Sequence, residues 1–201
     1  MRKLLGLFGV VMLFSFIIPE STITKKERKF ALDYMKQTKQ RLLNDVKGLS
    51  ENQLKWKPAD SVWSVAECIE HITISEKNLM EMVKGSLQQP ADPSKRSEVK
   101  STDEGIIKIL TDRSFKVKTQ EAFKPTGQFG DAWKTLGVYK ERRATLIDYT
   151  KSSDEDLRNH YIDLPFGKID AYQGLLFIAA HSERHTLQIE EVKANPGFPK
   201  N

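Results

Sequence analysis

His181 and His185 lie four residues apart in the stretch Phe177-Ile178-Ala179-Ala180-His181-Ser182-Glu183-Arg184-His185, which holds half of the chain's four histidines. The flanks, Ala171 to Ala180 and Thr186 to Lys193, are helix-forming, and residues four apart on a helix share one face. Two neutral imidazoles so placed can chelate a single transition-metal ion. The plain alternative is a pair of polar or packed histidines, because such spacings arise by chance. A zinc-protease helix is disfavoured: its general base directly follows the first histidine, whereas the acid here is Glu183 in the third position. Glu183 lies about 200° around the helix from His181 and faces away from an ion held by the pair.

A third imidazole strengthens the metal reading. His71 belongs to a second helical run from Ser64, in which Val65, Cys68, Ile69, Ile72, Leu79 and Val83 form an apolar stripe. His71 sits on the flank of that stripe, where a half-buried, hydrogen-bonded histidine is the ordinary role. On a neighbouring helix of a bundle it would face the pair. His160, in the loop-like Arg158-Asn159-His160-Tyr161, has no such setting. Glu67, one turn before His71, is the candidate proton shuttle, with a solvated surface acid as the alternative. Gln188, three residues after His185, could orient that imidazole through its amide or be a plain surface residue. Cys68 reads as a small buried hydrophobe, with a sulfur ligand or reactive thiol left open; a single cysteine forms no internal disulfide.

Four long helices must position these residues: about Lys26 to Val46, Ser61 or Ser64 to Gly85, Asp131 to Lys151, and Ala171 to Lys193. Gly48 ends the first in the manner of a C-terminal cap. A shorter helix is expected over Asp103 to Arg113, and Leu164-Pro165-Phe166-Gly167 is a turn that could join two extended pieces. The segment from Gln88 to Thr102, with two prolines and several Ser and Lys, reads as a mobile loop. The fold class is therefore all-α, an antiparallel four-helix bundle with a short extra helix and irregular loops, in one domain.

The first twenty residues differ in kind. Arg2 and Lys3 precede a fifteen-residue apolar run, Leu4 to Ile18, before Pro19-Glu20-Ser21-Thr22 turns polar. That run matches an export signal and falls short of the roughly 20 residues a spanning helix needs. Residues 1–20 are thus read as an export segment, which places the protein in the periplasm or outside the cell. If uncleaved, the segment would serve as a membrane anchor; after its removal no stable membrane insertion is expected. The formal charge of +5 is mild, and milder without Arg2 and Lys3. The lysines mix evenly with acids, so no nucleic-acid surface is expected. The expected partner is a small-molecule substrate, and a homodimer is left open.

Several phrases together resemble the DinB/YfiT-like superfamily. They are Leu54-Lys55-Trp56-Lys57-Pro58, the helix start Trp63-Ser64-Val65-Ala66-Glu67 leading to His71, the Leu164-Pro165-Phe166-Gly167 turn, and the final helix from Leu176 to Ile189. The resemblance covers residues 24 to 195. It implies a four-helix bundle in up-down-down-up order, and a divalent metal, usually zinc or nickel, held by His71, His181 and His185. Members include thiol-dependent transferases and metal-dependent hydrolases. The export segment departs from the family pattern and weakens the transferase reading, because low-molecular-weight thiol cofactors are cytoplasmic. Three imidazoles leave an open coordination position, the mark of a catalytic site, where water or a substrate anion could be activated. Metal-dependent hydrolysis is the leading expectation; thiol-dependent S-transfer and a non-catalytic metal-binding bundle are the rivals.

Overall fold

The computed structural model describes residues 23–200. The export segment read over residues 1–20 therefore lies outside the described residues. Four long helices dominate: α1 (Lys25–Val46), α3 (Val65–Ser86), α5 (Ala132–Ser152) and α6 (Ala171–Lys193). Between them come two shorter helices, α2 (Glu51–Lys55) and α4 (Asp103–Thr111), and a hairpin of β1 (Tyr161–Leu164) and β2 (Gly167–Asp170). Local chemistry sets the helix starts. Thr24, Ser50, Ser64 and Asp170 each cap a helix through a reciprocal box with Glu27, Gln53, Glu67 and Gln173. Ser64, not Ser61, begins α3. Gly48 follows the end of α1 with φ 77°, a conformation that favours glycine.

Side-chain pairs fix the direction of each helix. Tyr172 bonds the Glu27 carbonyl at one end of α1 and Lys193 pairs with Asp45 at the other, so α1 and α6 run parallel. Arg28 reaches the carbonyls of Thr150 and Ser153 while Arg143 reaches that of Met35, so α1 and α5 are antiparallel. Gly174 abuts Val83 and His185 abuts His71, so α3 and α6 are antiparallel. The order is up-down-down-up, with α1 packed on α5 and α6, and α3 on the same two. Passing from α3 to the parallel α5 requires a long crossover, which α4 and the segments around it supply.

Two apolar clusters fill the bundle. One gathers Met35, Leu79, Val83, Leu146, Leu175 and Ile178 with the hairpin and α4; the other gathers Leu42, Leu54, Val65, Ile69, Leu136 and Ile189. A polar layer separates them. There the fully buried Arg143 grips both carboxylate oxygens of Glu76 and donates to Thr38 Oγ1 and the Met35 carbonyl. Glu76 keeps this guanidinium charged against the cost of burial.

The segment read as a mobile loop is tied down. It contains a 3₁₀ turn (Pro93–Glu98), Asp92 N donates to the Asn159 carbonyl at 2.9 Å, and Arg96 pairs with Asp170. Val99 bridges Lys168 on the hairpin. Proline and serine content signalled irregular backbone here, but anchoring by distant partners leaves no local trace.

Candidate metal centre

The up-down-down-up order brings the middle of α6 against the first half of α3, and this joins the histidines. His181 and His185 occupy successive turns of α6; His71 faces them from α3. Its Nε2 lies 3.3 Å from His181 Nε2 and 3.0 Å from His185 Nε2. Among the described residues these three form the one histidine, cysteine or carboxylate group compact enough to hold an ion, with ligand atoms within 4.8 Å of one another. His71 and His185 are buried, and His181 is partly exposed.

The spacing and the protonation states fit a metal. Bonds of about 2.05 Å place two ligand nitrogens about 2.9 Å apart at a right angle and about 3.3 Å apart at the tetrahedral angle. His71 Nδ1 sits 2.7 Å from the Phe123 carbonyl oxygen, which only accepts, so Nδ1 carries the proton and Nε2 presents a lone pair. His185 Nδ1 donates to Gln188 Oε1 at 2.9 Å, with the same result. Lone pairs this close repel unless a cation lies between them. Burial pushes His71 down to about 4, against a smaller opposing effect of its bond to Phe123. His181 and His185 are also lowered, by burial first and by their neighbours second. The trio thus stays neutral and disfavours a proton as the bridging cation, as suits a metal site.

The surroundings orient these rings. Glu70, next to His71, is buried and accepts the backbone N–H groups of Thr126, Gly127 and Gln128 at 2.9–3.1 Å. Asn78 donates to the Ala122 carbonyl at 3.0 Å. Together they pin the 121–128 segment to α3, and so place the Phe123 carbonyl on His71. Trp63 lies against two of the three rings, its centroid 4.7 Å from that of His71 and 5.9 Å from that of His185.

Of the residues singled out in the sequence, Gln188 orients His185, as one of its two readings held. Glu183 turns away to Tyr34 and Arg41. His160 stands apart, its Nδ1 bonded to the Asp156 carbonyl. Cys68 is fully buried and its thiol pushed up by burial, the state of a packed hydrophobe. Glu67 lies one turn before His71, but both oxygens are engaged: Oε2 accepts from Ser64 N at 2.7 Å and Oε1 pairs with Lys57 at 3.0 Å. Glu70, Phe123 and Trp63 were missed as site residues. A buried acid beside His71 was the available signal for Glu70, but a carbonyl acceptor has no residue-type signature.

The fold and the site define a four-helix bundle with a three-histidine centre built between two antiparallel helices. Residues 34–189 match the model of the DinB superfamily, and the chain belongs to that superfamily. It is 28% identical over 154 residues to the uncharacterised protein YuaE of Bacillus subtilis strain 168, spanning 75% of this chain and 89% of YuaE. In structure it is similar to YfiT from Bacillus subtilis, described as a probable metal-dependent hydrolase with an unusual four-helix bundle topology. That likeness has a TM-score of 0.58 and 17% identity, over 90% of this chain and 94% of YfiT, and it is one of fold.

Proposed function

We propose that the protein is a metal-dependent hydrolase acting on a small molecule, with one zinc or nickel ion held by His71, His181 and His185. The observation that carries this reading is the convergence of imidazole Nε2 atoms at 3.0 and 3.3 Å, with the outer nitrogens of His71 and His185 tied to oxygen acceptors. Such an ion supplies Lewis acidity and lowers the pKa of water towards about 7. The chain's own residues do the rest: Phe123 and Gln188 hold two ligands in the binding tautomer, and Trp63 packs against the rings of His71 and His185. The description of YfiT as a probable hydrolase supports the same reaction class.

Metal analysis of protein purified without chelators or an affinity tag tests the site. We expect about one divalent ion per chain, consistent with a three-imidazole site, and its loss in His181→Ala with helical circular dichroism retained. Trace metal unaffected by replacing all three histidines would refute it. A substrate screen on metal-loaded protein, with and without added thiols, tests the chemistry; turnover that requires a thiol would favour S-transfer instead. Glu67→Gln keeps the capping box and removes the charge, so a proton-shuttling role for Glu67 predicts lost turnover with metal content intact.

We also propose that residues 1–20 direct export. Among the described residues no helix is long and apolar enough to cross a membrane. N-terminal sequencing of protein from the producing cell should begin after residue 18; full-length protein in the soluble cytoplasmic fraction would oppose export.

A further inference from the structure

The segment that follows α4 is fastened on both sides of the metal centre. On α6, Arg184, the residue before His185, donates through Nη1 to the Leu110 carbonyl at 2.9 Å and to that of Asp112. Its Nη2 donates to the Phe115 carbonyl at 2.7 Å, and the Phe115 ring lies 5.1 Å from the guanidinium. Arg113 pairs with Glu191 of the same helix at 2.7 Å. On α3, Asn78 holds the Ala122 carbonyl and His71 holds that of Phe123. Residues 116–122 therefore pass from α6 to α3 beside the histidines, along the surface, where Val117 is 68% exposed. Among the described residues, no hydrogen bond or ion pair ties the stretch from Lys116 to Glu121 to another element. A span held only at its ends is free to open locally once one end lets go.

One of those ends is a metal-ligand candidate. His71 Nε2 stands 3.0 Å from His185 Nε2 and 3.3 Å from His181 Nε2, while its Nδ1–H donates to the Phe123 carbonyl at 2.7 Å. A cation on Nε2 polarises the ring and makes Nδ1–H the stronger donor. Without a cation, the facing lone pairs push the His71 ring away from α6, and its Nδ1–H moves with it. The ion and the Phe123 carbonyl thus act on the same imidazole through its two nitrogens.

We propose that residues 112–124 form a metal-responsive strap: an ion in the trio tightens its α3 end, and loss of the ion loosens it. This rests on the metal-centre reading above and adds a regulation of that site. The coupling is reciprocal, so the factor by which the ion favours the closed strap is also the factor by which the closed strap favours the ion. The state of a buried centre is thereby displayed on the surface.

Backbone amide exchange at neutral pH, with and without zinc, reads the strap. The N–H groups of Phe123 and Lys124, bonded within their own turn, and of Thr126, Gly127 and Gln128, bonded to Glu70, report on its α3 end. The Asp92 N–H, bonded to the Asn159 carbonyl, is the control. Zinc should slow the first group about tenfold, saturating with the same midpoint as zinc binding itself, and leave Asp92 unchanged. His181→Ala, which keeps both His71 and Phe123, should lose the response. Zinc binding without slower exchange at the α3 end, equal slowing at Asp92, or a response that persists in His181→Ala overturns the strap and leaves the metal centre to be judged by its own stoichiometry. Failure of the wild-type protein to bind zinc overturns the metal centre itself.

Discussion

His71 and His185 meet Nε2 to Nε2 at 3.0 Å, and each gives the proton of its other ring nitrogen to an oxygen. The contact sets two lone pairs against each other inside a buried site. Its consequences can be measured in the metal-free protein as well as the loaded one.

Stability of the metal-free protein should depend on acid. Burial lowers His71 from 6.5 to about 4, so between these values the unfolded chain binds a proton that the folded chain refuses. Stability is fully expressed above pH 6.5 and falls as pH drops through this window, by about 3 kcal/mol for His71 alone at ~1.4 kcal/mol per unit. His181 and His185, lowered as well, act in the same direction. Urea midpoints at pH 7 and 4.5 should differ accordingly, and His71→Gln should narrow the difference. Identical midpoints in the wild-type protein would contradict it.

Glu70 should matter to metal affinity although it touches no imidazole. Its carboxylate holds three backbone N–H groups of the segment whose Phe123 carbonyl orients His71. Glu70→Ala is expected to weaken metal binding about 10- to 100-fold, the usual cost of losing a ligand's orienting partner. Competition with a chromophoric chelator reads this directly. Helical circular dichroism should stay the same, and unaltered affinity would show that the loop holds without Glu70.

The Arg143–Glu76 pair should show the asymmetry of a buried ion pair. Removing one partner in Arg143→Met strands the Glu76 carboxylate and should cost roughly 3–5 kcal/mol. The double change Arg143→Met, Glu76→Leu should recover most of that loss. Chemical denaturation of the three proteins measures the coupling, and additive losses would contradict it.

Gly174 should resist any side chain. A Cβ there would stand 2.7 Å from Val83 Cγ2 and 3.1 Å from Ile162 Cδ1, where α6 meets α3 and the hairpin. Gly174→Ala should destabilise the protein by about 1–3 kcal/mol through overpacking, and Val83→Ala in the same chain should relieve it. Thermal unfolding of the single and double variants decides.

What the sequence made legible was whatever repeats at helical spacing. The four long helices were readable to within one or two residues at most ends, because Ser64, Asp131 and Asp170 are strong N-caps and the apolar stripes are regular. The three histidines were readable for the same reason: two share a turn-to-turn spacing, and the third lies beside a stripe. Legibility failed where partners are far apart in the chain. Phe123 is 52 residues from His71 and contributes a carbonyl, which any residue possesses. Glu70 finds its partners 56 to 58 residues away, in a segment without periodicity. Glu67 showed the reverse difficulty, since its capping box and its place near His71 arise from the same position.

The histidines that meet across α3 and α6 are 110 and 114 residues apart in sequence. An ion shared between them would close a ring of chain containing α4, α5 and the hairpin, as a reversible cross-link. Closure of so long a ring restricts the unfolded ensemble, by an amount that grows with the logarithm of its length. Resistance to digestion would then rise and fall with the supply of metal, even where no substrate is turned over.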